Sequence, residues 1–146
     1  IGFILLVTIM SGGLVAGLKA GHSYNTFPLM AGQWIPDAIL QLQPWWLNVL
    51  ENGATVQFDH RVLAIASFCL VIGFVLYSKK YELNQRTTTA INLMALMVVI
   101  QVGLGISTLL LRVPIVLASA HQAGAVILFT ITLYVIHDLI KYHHCD

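Results

Sequence analysis

The sequence contains 146 residues, of which 58% are hydrophobic and 9% are charged, and its mean hydropathy is +0.85. So few charged side chains cannot cover the surface of a water-soluble domain, and we therefore expect the lipid bilayer to be the solvent of this chain. The 7 basic and 6 acidic side chains give a net charge of +1, which excludes a basic surface that would bind nucleic acid.

Four stretches of the sequence are apolar and long enough to cross a hydrocarbon core of about 30 Å, for which a helix needs about 20 residues. These predicted spans cover residues 1–18, 54–77, 87–111 and 113–137. We therefore predict an all-α fold, an integral membrane four-helix bundle that forms a single domain over residues 1–146.

The segment 22–53, between the first two spans, interrupts the apolar pattern with prolines and with the adjacent Trp45 and Trp46. Tryptophan is enriched at membrane–water interfaces, so this segment is predicted to be an interfacial loop on the outer side. The connection between the second and third spans is expected on the cytoplasmic or matrix side, because it carries the densest positive charge. These charges are Lys79, Lys80 and Arg86.

Two helix starts can be placed from local chemistry. Asn52 is predicted to cap the second span, and Pro114 suits the first turn of the fourth, where its missing N–H would be unpaired in any case. His60 and His121 then lie about eight and seven residues along their helices, roughly 10 to 12 Å from the outer ends. We therefore predict that the two imidazoles stand at the same depth.

A level pair of histidines inside a membrane is a candidate ligand set, because ionisable side chains are costly there. Zinc requires three or four protein ligands, whereas a haem iron takes two axial imidazoles. The sequence therefore predicts a haem site in which His60 and His121 bind the iron. Arg61 and Arg112 lie near the outer end, where a guanidinium would pair with a haem propionate. Small residues near both histidines would leave room for a flat macrocycle, namely Ala64, Ser67, Ala118, Ser119, Ala120, Gly124 and Ala125.

The same residues also have structural interpretations. A membrane histidine often hydrogen-bonds a neighbouring helix, and Arg61 could anchor the chain at the interface. Gly13, Gly17 and Gly21 recur every four residues and are typical of close helix packing. The remaining histidines are interpreted as interfacial or solvated: His22, His137, His143 and His144.

The two cysteines have no second thiol near them in the sequence. Cys69 lies inside an apolar run and is predicted to be a buried packing residue, while Cys145 is interpreted as a tail residue. Neither a disulfide nor a zinc site is expected from them.

Several motifs follow one another over nearly the whole chain. They are residues 17–30, 51–52, 56–61, 101–108 and 120–124. Together they resemble the C-terminal half of haem A synthase. The likeness is closest to the mitochondrial and alphaproteobacterial branch of that family, since the outer loops lack the paired cysteines of another branch.

This resemblance implies half of an eight-helix pseudo-symmetric protein, built from two four-helix halves that each carry a histidine pair. The family oxidises the methyl group at position 8 of haem O to the formyl group of haem A. In the substrate half a glutamate three residues before the first histidine takes part in catalysis, and here that position is Gln57. The resemblance therefore implies that this half has no catalytic residue and holds a haem b cofactor through His60 and His121. With two imidazole ligands this haem would have no open coordination site, which favours electron relay.

The partners that the resemblance implies are the N-terminal substrate-haem half, haem O as substrate, an electron donor that the sequence does not identify, haem O synthase and the lipid bilayer. The implied location is the mitochondrial inner membrane or the bacterial plasma membrane. Two alternatives stay open at this point: a free-standing electron-transfer cytochrome b, and a haem-free membrane scaffold or transporter subunit.

Overall fold

The computed structural model describes residues 1–143, with side chains through residue 141. These residues form five α-helices and one turn of 3-10 helix at Ala20–His22, so the all-α prediction is confirmed. The α-helices are α1 (Gly2–Gly17), α2 (Leu47–Glu51), α3 (Gly53–Ser78), α4 (Gln85–Leu110) and α5 (Ile115–His143).

Three helices, α3, α4 and α5, are long and apolar enough to cross a membrane. The helix α1 is apolar but only 16 residues long, so the fourth predicted crossing stays a prediction. The boundaries lie close to those predicted, with two differences at helix starts. The side chain of Asn84 accepts a hydrogen bond from the Thr87 N–H at 2.9 Å and thereby starts α4 two residues early. Arg112 and Val113 have φ of 60° and 59°, which are incompatible with a right-handed helix, so α5 starts at Ile115.

A ring is formed by α1, α3, α4 and α5, in which α1 and α4 each pack against both α3 and α5. The helices α3 and α5, which carry His60 and His121, therefore lie at opposite corners of the bundle. We call the end near residues 20–53 and the α4–α5 turn the outer end, and the end near the α3–α4 connection the inner end. The apolar core occupies the middle and the inner part of the bundle. It is formed mainly by Leu5, Val71, Val75, Ile91, Met94, Val98, Leu128 and Val135.

The outer loop is organised around Asn48, whose side chain is fully buried. Its amide donates to the carbonyls of Leu42 at 2.9 Å and Trp45 at 2.8 Å, and its oxygen accepts from the Leu42 N–H at 2.9 Å. Trp45 and Trp46 are 65% and 55% exposed. Their placement at the membrane interface stays a prediction.

The prediction that Cys69 is buried is wrong, because its side chain is exposed on α3. In a membrane bundle an apolar sequence does not distinguish the core from the lipid-facing surface, since both surroundings are apolar. His144 and Cys145 lie outside the described residues.

Candidate functional site

The start of α3 sets the depth of His60. The Asn52 side-chain oxygen accepts hydrogen bonds from the N–H groups of Ala54 at 2.9 Å and Thr55 at 3.2 Å, which confirms the predicted cap. This cap satisfies two of the donors that a helix start leaves unpaired. His60 consequently lies about 12 Å along a helix whose first turn is held in place.

The His60 imidazole packs on α1. Its Nδ1 lies 2.8 Å from the Ser11 hydroxyl oxygen, and the Ser11 hydroxyl donates to the Thr8 carbonyl, also at 2.8 Å. A Cβ built on Gly12 would stand 3.1 Å from the His60 Cε1, which is tighter than most Cβ contacts. The ring therefore fills the space that the missing side chain of Gly12 leaves.

The His121 imidazole packs on α4 in a similar way. A Cβ built on Gly105 would stand 3.0 Å from the His121 Cε1. The Gln101 side-chain amide donates to the backbone carbonyl of His121 at 2.9 Å. His121 Nδ1 is buried and makes no well-formed hydrogen bond within the described residues, although the backbone carbonyl of Gln101 lies near the ring.

The bundle brings these two histidines together even though their helices occupy opposite corners. Both side chains are partly buried, and they lie close enough to interact electrostatically. Each imidazole thus lies against a glycine of the adjacent helix and is close to the other imidazole.

Arg61, one residue after His60, is engaged with the outer loop. Its guanidinium donates to the carbonyls of Tyr24 at 3.0 Å and Pro28 at 3.3 Å through the two terminal nitrogens. The Gln57 amide donates to the same Tyr24 carbonyl at 3.0 Å. These two residues, one turn apart on α3, therefore hold the loop against the helix that carries His60.

The other predicted arginine has a different setting. Arg112 is exposed in the α4–α5 turn, and its side chain makes no hydrogen bond or ion pair within the described residues. The loop lies nearby, because the Asn25 amide donates to the carbonyl of Leu109 at 3.0 Å.

Five buried polar atoms in the described part of the chain have no hydrogen-bond partner, and all five lie in the outer half of the bundle, which also contains the histidines. An unpaired buried polar atom costs roughly 1–3 kcal/mol, so a bound group that hydrogen-bonded to any of them would be stabilised. The apolar core stops short of this region. The atoms are Gln57 Oε1, Arg61 Nε, Gln101 Oε1, Thr108 Oγ1 and His121 Nδ1.

The donor set of the site is limited to two imidazoles. Across the residues that the structure describes, no three His, Cys, Asp or Glu side chains come close enough together to hold a metal ion. Two neutral imidazoles match the axial ligands of a haem iron and do not match a zinc site, which uses three or four protein ligands.

Sequence reasoning missed three contributors to this site: Ser11, Gly12 and Gly105. Nothing in the sequence shows that either glycine lies beside a histidine, and nothing connects Ser11 with a histidine 49 positions away.

Comparison with known proteins identifies the family of this chain. The family model COX15-CtaA, described as cytochrome oxidase assembly protein, matches residues 1–133. The chain is 48% identical over 136 residues to the heme A synthase of Nitrosospira multiformis, covering 93% of this chain and 38% of that protein. It is 43% identical over 136 residues to heme A synthase COX15 of Bos taurus, covering 93% of this chain and 33% of that protein.

The chain thus spans less than two fifths of the length of these relatives. No solved structure gives a significant match. The three long apolar helices and the membrane setting of the family identify an integral membrane protein. The chain belongs to the haem A synthase family of cytochrome oxidase assembly proteins.

Proposed function

We propose that this chain is the half of a haem A synthase that holds a haem b cofactor, with His60 and His121 as its two axial ligands. The observation that carries the proposal is the pair of interior imidazoles, each packed on a glycine of the adjacent helix. The electrostatic interaction between the two rings supports the proposal, and the described residues supply no third His, Cys, Asp or Glu ligand beside them.

The surroundings of the histidines support a large cofactor with polar groups. The apolar core is confined to the middle and the inner part of the bundle, whereas the outer half contains the unpaired polar atoms. A haem combines an apolar macrocycle with two carboxylates, so it suits an interior that is partly polar.

Arg61 and Arg112 are proposed to pair with the propionates. The terminal nitrogens of Arg61 already bind loop carbonyls, but its Nε is buried without a partner and remains available to a carboxylate. Arg112 is exposed at the same outer end and has no competing partner in the described residues.

When bound, haem b would be held by His60 and His121 and would supply one-electron transfer. We infer that this half relays electrons for oxidation of the haem O methyl group to the formyl group of haem A. By the resemblance, Gln57 corresponds to a catalytic glutamate of the substrate half, and an amide does not exchange a proton as a carboxylate does. Its amide instead holds the Tyr24 carbonyl, so its role in this chain is to position the loop.

The chemistry on the substrate is therefore assigned to the N-terminal half. The further proposed partners are haem O, an electron donor and haem O synthase, in the mitochondrial inner membrane or the bacterial plasma membrane.

The test is the haem content of the full-length protein purified in detergent. We expect His60→Ala and His121→Ala each to remove one haem equivalent per chain, together with its low-spin absorption bands. His137→Ala is the matched control, because this exposed histidine lies on α5 far from the outer half. If haem stoichiometry and spectrum were the same in the His60, His121 and His137 variants, the ligand assignment would be wrong.

A further inference from the structure

The Ser11 hydroxyl stands between the Thr8 backbone carbonyl and the His60 ring, and that carbonyl also lies near the ring. The Ser11 hydroxyl oxygen lies 2.8 Å from the Thr8 carbonyl and 2.8 Å from the Nδ1 of His60. A serine hydroxyl has one proton, and a carbonyl oxygen only accepts. If the Ser11 proton goes to the Thr8 carbonyl, then the His60 Nδ1 must carry a proton and donate it to the Ser11 oxygen.

This arrangement determines which nitrogen of His60 is free. A neutral imidazole carries a single N–H, so a proton on Nδ1 leaves a lone pair on Nε2. A histidine that ligates a metal through one nitrogen usually donates its other N–H to a fixed acceptor, which sets the tautomer and the ring orientation. Ser11 supplies such an acceptor before any cofactor binds.

A backbone carbonyl lies near each ring, Thr8 for His60 and Gln101 for His121, but the α4–α5 side lacks the hydroxyl. Gly105 occupies the same relation to His121 as Gly12 does to His60, but the residue before Gly105 is Leu104, whose side chain cannot accept a hydrogen bond. Consistent with this difference, His121 Nδ1 has no well-formed hydrogen bond among the described residues.

We propose that Ser11 is a positioning residue that holds His60 in the Nδ1–H tautomer with Nε2 directed to the ligand, so that His60 is held more firmly than His121, which has no side-chain partner among the described residues. This inference rests on the proposed haem site. It adds that the two proposed ligands are held in place to different degrees.

The experiment compares variants of the full-length holoprotein. Ser11→Ala removes the acceptor, and Ser11→Thr and Ser11→Val form a matched pair of nearly equal shape that differs only in the hydroxyl. Loss of an outer-shell partner typically weakens metal binding by 10- to 100-fold, so we expect haem dissociation from Ser11→Ala and Ser11→Val to be at least about 10-fold faster than from Ser11→Thr.

The midpoint potential and the electron paramagnetic resonance spectrum distinguish a positioning role of Ser11 from a role in packing alone. The acceptor makes the His60 imidazole a stronger donor to ferric iron, so its loss raises the midpoint potential of this haem. We expect Ser11→Ala and Ser11→Val to raise the potential and to change the low-spin electron paramagnetic resonance spectrum, and Ser11→Thr to retain both. A purely structural role of Ser11 would affect Thr and Val variants alike.

The outcomes distinguish this inference from the function on which it rests. If His60→Ala keeps its full haem content, the proposed ligand set itself is wrong. If His60→Ala loses the haem but the Thr and Val variants have equal dissociation rates and potentials, the positioning role of Ser11 alone is overturned.

Discussion

The α1–α3 pair and the α4–α5 pair each accommodate a histidine against a glycine. They differ in the polar side chain that stabilises it. In both pairs a glycine on one helix leaves the space that an imidazole of the other helix fills, at Gly12 for His60 and at Gly105 for His121. The first pair adds a hydroxyl that contacts the imidazole itself. The second adds Gln101, whose side chain binds the backbone carbonyl of His121, and no side chain of the described residues hydrogen-bonds the His121 ring.

This difference shows that the position of a ligand ring and its tautomer are determined by different residues. A glycine on the neighbouring helix determines where the ring can lie, because the close approach of two helices depends on small residues. A polar side chain determines which tautomer and orientation the ring adopts. The two pairs share the first feature, and only the α1–α3 pair has the second.

The largest effect is expected when a side chain is added to the glycine against which each histidine packs. In Gly12→Ala and Gly105→Ala the new methyl would stand 3.1 Å and 3.0 Å from an imidazole carbon, so the ring must shift. Overpacking of this kind costs typically about 1–3 kcal/mol. We expect a lower unfolding midpoint in mixed detergent and a lower haem content for both variants.

Gly13→Ala and Gly103→Ala are matched controls for this prediction, because a Cβ at either position meets no atom within 4 Å. Equal losses in the test and control variants would mean that helix flexibility, and not contact with the histidines, explains the glycines.

An intermediate effect is expected when a hydroxyl is added beside His121 in the α4–α5 pair. Leu104→Ser places a hydroxyl before Gly105, as Ser11 stands before Gly12. We expect haem dissociation to slow by about 10-fold and the midpoint potential to fall, since the His121 Nδ1–H gains a partner. Leu104→Ala controls for the loss of apolar volume, and identical kinetics and potential in the two variants would contradict the prediction.

The smallest effect is expected from the polar contacts that join the helices of each pair away from the rings. Gln101→Leu removes the bond to the His121 carbonyl, and Ser67→Ala removes the 2.9 Å contact with the Thr8 hydroxyl. Hydrogen bonds between membrane helices average about 0.6 kcal/mol, so both variants should unfold slightly earlier and keep their haem. Detergent unfolding curves measure this, and haem loss from Gln101→Leu alone would show that Gln101 acts on the ligand as well as on the backbone.

The secondary structure was largely predictable because its signals are local. Hydrophobic runs of sufficient length predicted α3, α4 and α5 to within a few residues, except that α5 continues past the predicted end, and the Asn52 cap was found from its side-chain chemistry. The family was also predicted correctly from the motifs. The exposure of Cys69 was predicted wrongly, because apolar sequence is equally suited to lipid and to core.

The site was predictable only in part, because its contacts join distant segments. The sequence indicated His60 and His121 as unusual residues for a membrane interior. It gave no indication that Arg61 would bind the carbonyls of Tyr24 and Pro28, or that Arg112 would lie in a left-handed turn.

The amino-acid pattern alone was therefore sufficient for the membrane class, the helices and the identity of the two candidate ligands, since hydrophobic length, capping and the cost of buried histidines are properties of short segments. Only the packing of α1 on α3 and of α4 on α5 decided that each imidazole rests on a glycine and that Ser11 reaches just one of them. Such contacts depend on the rotation and spacing of helices that are remote in sequence, and these are set by the packing of the whole bundle.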